Sequence, residues 1–191
     1  MVTSIQSPSK ISLEEFLLLP ETKPASEYVD GEIYQKDMPQ GKHSTLQSEF
    51  PSVINRVAKP QKLAYAFPEL RCSFDGRSIV PDIAVFEWQR IPLNAQGEIE
   101  NRFETPPDWI IEILSPDQSS TRVINKILFC LKNKTKLGWL IDPEERLVIV
   151  FKPQQEPEVK ENEDILPVLD VLSDLQLSAD ALFGLLSFDR P

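Results

Sequence analysis

Trp109-Ile110-Ile111-Glu112-Ile113-Leu114 reads as a β-strand apolar on both faces, hence central in its sheet, yet it carries a carboxylate at its middle. An ionised acid among isoleucines costs several kcal/mol unless a cation, a donor or a metal pairs it. Upstream, the apolar run Val80-Pro81-Asp82-Ile83-Ala84-Val85 carries a second acid behind a proline. Two such acids on neighbouring strands are what a divalent metal site uses. The other reading is a strand-end Asp82 capping a turn and a Glu112 neutralised by an internal Lys or Arg.

Strand alternation makes the first reading specific. Glu112 and position 114 share one face, and Ile111 and Ile113 the other. An acid-x-lysine order would aim a carboxylate and an ammonium into one site, but position 114 is Leu. The next amphipathic stretch, capped by Ser119, Ser120 or Thr121 and running to about Asn133, places Val123, Ile124, Ile127, Leu128 and Leu131 inward. Lys126, one turn after Arg122, borders that stripe, and its long stem can carry an ammonium back to the strand. Two carboxylates holding Mg²⁺, with a lysine beside them, are the chemistry of phosphodiester hydrolysis.

Working outward, Ser12-Leu13-Glu14-Glu15 has the form of a capping box and predicts a helix over Ser12–Leu19, stopped by Pro20. Tyr28-Val29-Asp30-Gly31-Glu32-Ile33-Tyr34 predicts a hairpin turning at Asp-Gly. Leu46, Phe50, Val53, Ile54 and Val57 predict a helix from about Lys42 to Ala58, kinked or broken at Pro51, with His43 and Glu49 off its apolar stripe. Strands are expected over Ala64–Phe74 and Ser78–Phe86, an irregular excursion over 87–107, and a strand pair over Leu137–Ile141 and Arg146–Phe151. A last short helix is marked by Leu182, Leu185 and Leu186. Helix, strands, helix, strands is the order of an α/β sheet domain. Further site candidates are Glu69 on the preceding strand, Glu49 as a helix-borne acid and His43 as a base or DNA contact. Lys132, Lys134 and Lys136 make a small basic patch.

Composition narrows the function classes. The formal net charge is −10, but nine acids against two bases fall from Glu156 onward, and the rest is close to balance. That is permissive for DNA without demanding it. One histidine excludes a His-rich zinc site, and Cys72 and Cys130, in apolar contexts, are expected to be buried free thiols in a reducing cytoplasm. No apolar run is long enough to span a membrane, and Met1–Lys10 lacks the form of a secretory signal.

Asp30-Gly31-Glu32, Val80 to Val85, Pro107-Asp108 through Ser115-Pro116, and Gly138-Trp139-Leu140-Ile141-Asp142-Pro143 together resemble the Uma-two family, bacterial proteins described as restriction-endonuclease-like. The resemblance covers roughly Ser12 to Lys152. It implies the PD-(D/E)xK nuclease fold, a mixed central sheet flanked by helices. It also implies Asp82 and Glu112 as ligands of Mg²⁺ (or Mn²⁺) and Lys126 in place of the strand lysine. The expectation is therefore a Mg²⁺-dependent DNA endonuclease, a cytoplasmic homodimer. Its nuclease domain spans 1–152, and an acidic extension over 153–191 packs on that same domain. The alternative from another class is an inactive nuclease-fold module for nucleic-acid or protein interaction.

Overall fold

The protein is described from a computed structural model, which places residues 11–116 and 118–188. The segment Met1–Lys10, read above as lacking the form of a secretory signal, lies outside the described residues. A six-stranded mixed sheet forms the centre, in the order β10-β9-β8-β7-β6-β3. Its strands are β3 (Ala64–Pro68), β6 (Ile83–Glu87), β7 (Trp109–Ile113), β8 (Leu137–Asp142), β9 (Leu147–Phe151) and β10 (Glu158–Glu161). Only β7 and β8 pair parallel, joined by helix α3 (Ser120–Lys132), as a crossover connection requires. A second sheet, β2-β1-β5-β4, is built from β1 (Ser26–Val29), β2 (Glu32–Gln35), β4 (Cys72–Phe74) and β5 (Arg77–Ile79). Helices α1 (Leu13–Leu17), α2 (Gly41–Ala58) and α4 (Ala179–Gly184) complete the set.

The sequence signals for β7, α3 and the Asp30-Gly31 hairpin lie where these elements form, and β7 is buried along its whole length. At α1 both halves of the capping box are present: Ser12 accepts from the Glu15 N–H, and the Glu15 carboxylate accepts from the Ser12 N–H. Three expectations fail for physical reasons. Helix α2 is not broken at Pro51, the break being the half of that expectation that fails, because Phe50 and Ile54 on either side are fully buried and hold the turn together. The expected strand Ala64–Phe74 is two strands in different sheets, parted at Glu69, whose φ is +47°. Ser78–Phe86 is likewise split into β5 and β6. Pro81 has no N–H for a ladder, and the polar groups of Val80 are taken by side chains: its N–H by Glu27, its carbonyl by Lys36.

One core lies between the large sheet and α2 and is completed from the C-terminal part, where Leu166, Leu169, Leu172, Leu182 and Phe183 are buried. Trp139 stacks on Phe50 at 5.6 Å and donates to the Pro167 carbonyl, tying residues beyond 152 into the sheet that β10 extends. The second core lies under α3 and includes Ile110, Ile127, Cys72 and Cys130, both cysteines being free. Leu128, expected inward, is 41 % exposed. Gly138 in β8 lets α3 approach, since a Cβ there would collide with Ile127 Cγ2. That close approach brings Lys126 down to β7.

Candidate active site

Asp82 sits where the chain leaves the small sheet and enters the large one, at the foot of β6, and is 1 % exposed. Its Oδ2 accepts from the Ile113 N–H at 2.8 Å, which ties it to the strand that carries Glu112. Its Oδ1 takes the Lys36 ammonium at 2.6 Å and lies 3.3 Å from His43 Nε2. Glu112, also 1 % exposed, accepts from Lys126 Nζ through Oε2 at 3.0 Å. The same ammonium lies 2.8 Å from Glu27 Oε1. The sequence candidates Asp82, Glu112, Lys126 and His43 therefore meet in one buried network, joined by Glu27 and Lys36.

Glu49 and Glu69 do not join it. Both side chains are exposed; only the Glu69 backbone approaches, its N–H donating to the Asp82 carbonyl. His43, expected off the apolar stripe, is 7 % exposed and passes Nδ1 to Ser115 Oγ at 3.1 Å, so it braces Asp82 from inside. Of the basic patch, Lys136 is engaged with Glu87 and lies 3.5 Å from Asp108.

Glu27 and Lys36 went unrecognised in the sequence, although a signal exists. Continuing the hairpin's period-two alternation past its quoted ends pairs Glu27 with Tyr34 and puts Lys36 two residues on, so all three share a face. That face looks onto the network.

Burial raises the Asp82 carboxyl, but Lys36, His43 and Lys126 outweigh it and hold the group well below the usual carboxylate range. For Glu112 burial prevails: with Lys126 shared and Asp82 adding repulsion, its carboxyl is pushed up to about 8. Burial lowers Lys126, yet Glu112, Glu27 and Asp82 more than reverse this and keep it charged. These shifts agree on charge balance. Counting the lysines alone, three carboxyls face two ammonium groups, and the acid left over is Glu112, on which burial favours the protonated form. Its Oε1 is buried and has no hydrogen-bond partner among the described residues.

The donors are hard oxygens, which suit Mg²⁺ or Mn²⁺, and the orphaned Glu112 oxygen is a ligand position left open. No group of three or more His, Cys, Asp or Glu is placed to hold a metal among the described residues. Mg²⁺ is commonly held by one or two carboxylates, with waters and substrate phosphate filling its shell, so the donor set fits it. An internal lysine beside Glu112, half of the other reading of the sequence, is also present, whereas Asp82 is paired with Lys36 and bonded to the Ile113 N–H of β7. Metal entry requires those lysines to yield.

A cleft of about 530 Å³ between the β1–β2 hairpin and α3 reaches the network at Glu27 and Lys126. A second opening of about 230 Å³ reaches the same Glu27 and Lys126 from the Lys36 side.

This architecture is that of a restriction-endonuclease-like α/β protein. The sequence matches the Uma2 family, whose description is "Putative restriction endonuclease", over residues 13–180. The chain belongs to that family. It is similar to a crystal structure titled as a "putative nuclease" of DUF820 from Anabaena variabilis, with 58 % identity and a TM-score of 0.91, covering 93 % of this chain and 99 % of that one. A cryo-electron-microscopy structure of a DrdV–DNA complex is far more distant, at 13 % identity and a TM-score of 0.38 over 78 % of this chain and 12 % of that one, and carries no weight. No curated protein matches. Among the described residues no helix is long and apolar enough to cross a membrane.

Proposed function

We propose that the chain is a divalent-metal-dependent endonuclease that hydrolyses phosphodiester bonds in DNA. The observation that carries this is Oε1 of buried Glu112, without a hydrogen-bond partner among the described residues, in a network of acids and lysines that a cleft reaches at Glu27 and Lys126. The family description and the nuclease title of the 58 % identical neighbour support the same class. Asp82 and Glu112 hold the cation, Mg²⁺ or Mn²⁺, with Glu27 close by. When bound, it polarises the phosphate and lowers the pKa of the attacking water. Lys126, released from Glu112, turns its ammonium to the charge developing on the phosphate. His43 orients Asp82, Ser115 fixes the His43 ring, and Lys36 yields Asp82 Oδ1 to the cation. Cutting both strands with one site per chain takes two copies, so the reading includes a homodimer, acting in the cytoplasm.

The second reading, an inactive nuclease-fold module, is favoured by Leu114 in the strand-lysine position and by the lysine partners of both acids. Cleavage assays on supercoiled and linear duplex separate the two. The expected result is Mg²⁺- or Mn²⁺-dependent cutting that chelation abolishes and Asp82→Asn reduces to background. Lys126→Met should lower turnover on the order of a hundredfold. Duplex binding without cleavage at any metal concentration would select the inactive module.

A further inference from the structure

We propose that Arg122 is the residue that seats the phosphate backbone above the acid–lysine network, with the Tyr34 ring as its platform. This deepens the nuclease reading and rests on it. The two openings onto the network share Glu27, Tyr34, Ser119, Arg122 and Lys126. They are lobes of one trough between the hairpin and α3. Arg122 crosses it, its guanidinium carbon 4.8 Å from the centre of the Tyr34 ring. It thus borders both lobes.

Three of the other cations of the trough are committed, and the fourth, exposed Lys132, lines only the larger lobe. Arg77 forms a fork onto Asp30 and covers the Phe129 ring at 4.3 Å, Lys126 is divided between Glu27 and Glu112, and Lys36 is held by Asp82. Arg122 is exposed, and its guanidinium donates no hydrogen bond to a described residue. Stacking uses the face of a guanidinium and leaves its N–H edge free in the plane. A planar fork of unspent donors recognises a phosphate through two parallel bonds. The position makes no sense as helix stabilisation. Arg122 stands near the start of α3, where the helix dipole disfavours a cation and no acidic residue occupies the first turn. A bound anion removes that conflict. Tyr34 suits the platform: its hydroxyl donates to Glu32, which raises its pKa and keeps the ring neutral.

Duplex affinity measured by fluorescence anisotropy in Ca²⁺, across a salt series, and cleavage kinetics in Mg²⁺ test the proposal. Arg122→Gln should weaken affinity about tenfold and reduce the slope of log affinity against log salt by about one. Arg122→Lys should keep the slope and lose part of the affinity. Tyr34→Phe should match wild type, and Tyr34→Leu should fall between wild type and Arg122→Gln. Thermal melting confirms that each variant is folded. Wild-type affinity and slope in folded Arg122→Gln would overturn the proposal while leaving the nuclease reading standing. A wild type that binds duplex without cutting it, and loses the binding on Arg122→Gln, would sink the nuclease reading and support the phosphate role. A wild type that binds no duplex would overturn both.

Discussion

Strand β7 is flanked and pierced by two buried acids, and their surroundings differ. Asp108, just before the strand, is fully buried; its Oδ2 accepts the Glu87 N–H, and its Oδ1, without a well-angled hydrogen bond among the described residues, still has the Arg90 guanidinium 2.7 Å away. Arg90 and Lys136 keep 31 % and 52 % of their side chains in solvent. Four residues on, Glu112 shares one buried lysine with Glu27 and keeps an oxygen with neither a hydrogen bond nor a cation on it among the described residues. Asp108 is a latch that closes the excursion over 87–107 against the sheet. Glu112 belongs to a centre with more acid than its cations neutralise. Burial alone does not mark a working acid; unbalanced burial does.

The largest test of that contrast is the central cation. Lys126→Met leaves Glu27 and Glu112 buried without an ammonium and should cost about 3–5 kcal/mol at pH 8. The loss should shrink at pH 5, where Glu112 is protonated in any case. Denaturant unfolding at both pH values reads this, and a loss independent of pH would remove the surplus-acid account. Asp108→Asn should cost less, about 1–3 kcal/mol, because its cationic partners return to water while the Glu87 N–H loses its charged acceptor. An Asp108 variant hurt more than the Lys126 variant would invert the comparison.

Glu112 itself sets a pH window. Its folded-state pKa, raised to about 8, lies above the unfolded value near 4.3. Between those values the folded protein holds a proton that the unfolded chain has released. Metal-free stability should therefore fall as pH rises through this window, by up to about 1.4 kcal/mol per pH unit, and flatten above pH 8. Glu112→Gln should remove the fall and be the more stable protein at pH 8. Asp82 works oppositely: its depressed pKa adds stability above about pH 4 that is lost on acidification. The smallest effects belong to Glu49→Ala and Glu69→Ala, each expected within about 0.5 kcal/mol of wild type and without change in cleavage. A large loss of cleavage in either would show that the centre extends beyond the buried network.

The pieces of this centre legible in the sequence were those whose local pattern conflicted with their chemistry. Glu112 stood out as an acid in a doubly buried strand, and Asp82 as an acid closing an apolar run. Lys126 could be paired with Glu112 because a lysine bordering an apolar stripe has few places to send its ammonium. Glu27 and Lys36 gave no such conflict. A hairpin of mixed residues is ordinarily solvated, and only the small sheet folded against α3 buries one of its faces. The merged strands failed for a related reason. Val80 and Pro81 look like strand residues, and what breaks the ladder there is Glu27 and Lys36 bonding to Val80 across the fold.

The most direct measurement is calorimetric titration of Mn²⁺ into wild type and into the Asp82→Asn/Glu112→Gln double variant, with and without a duplex. The account predicts a saturable site in wild type, tightened by duplex, and none in the double variant. Equal binding by the two proteins, or no specific binding by wild type even with duplex present, would contradict it.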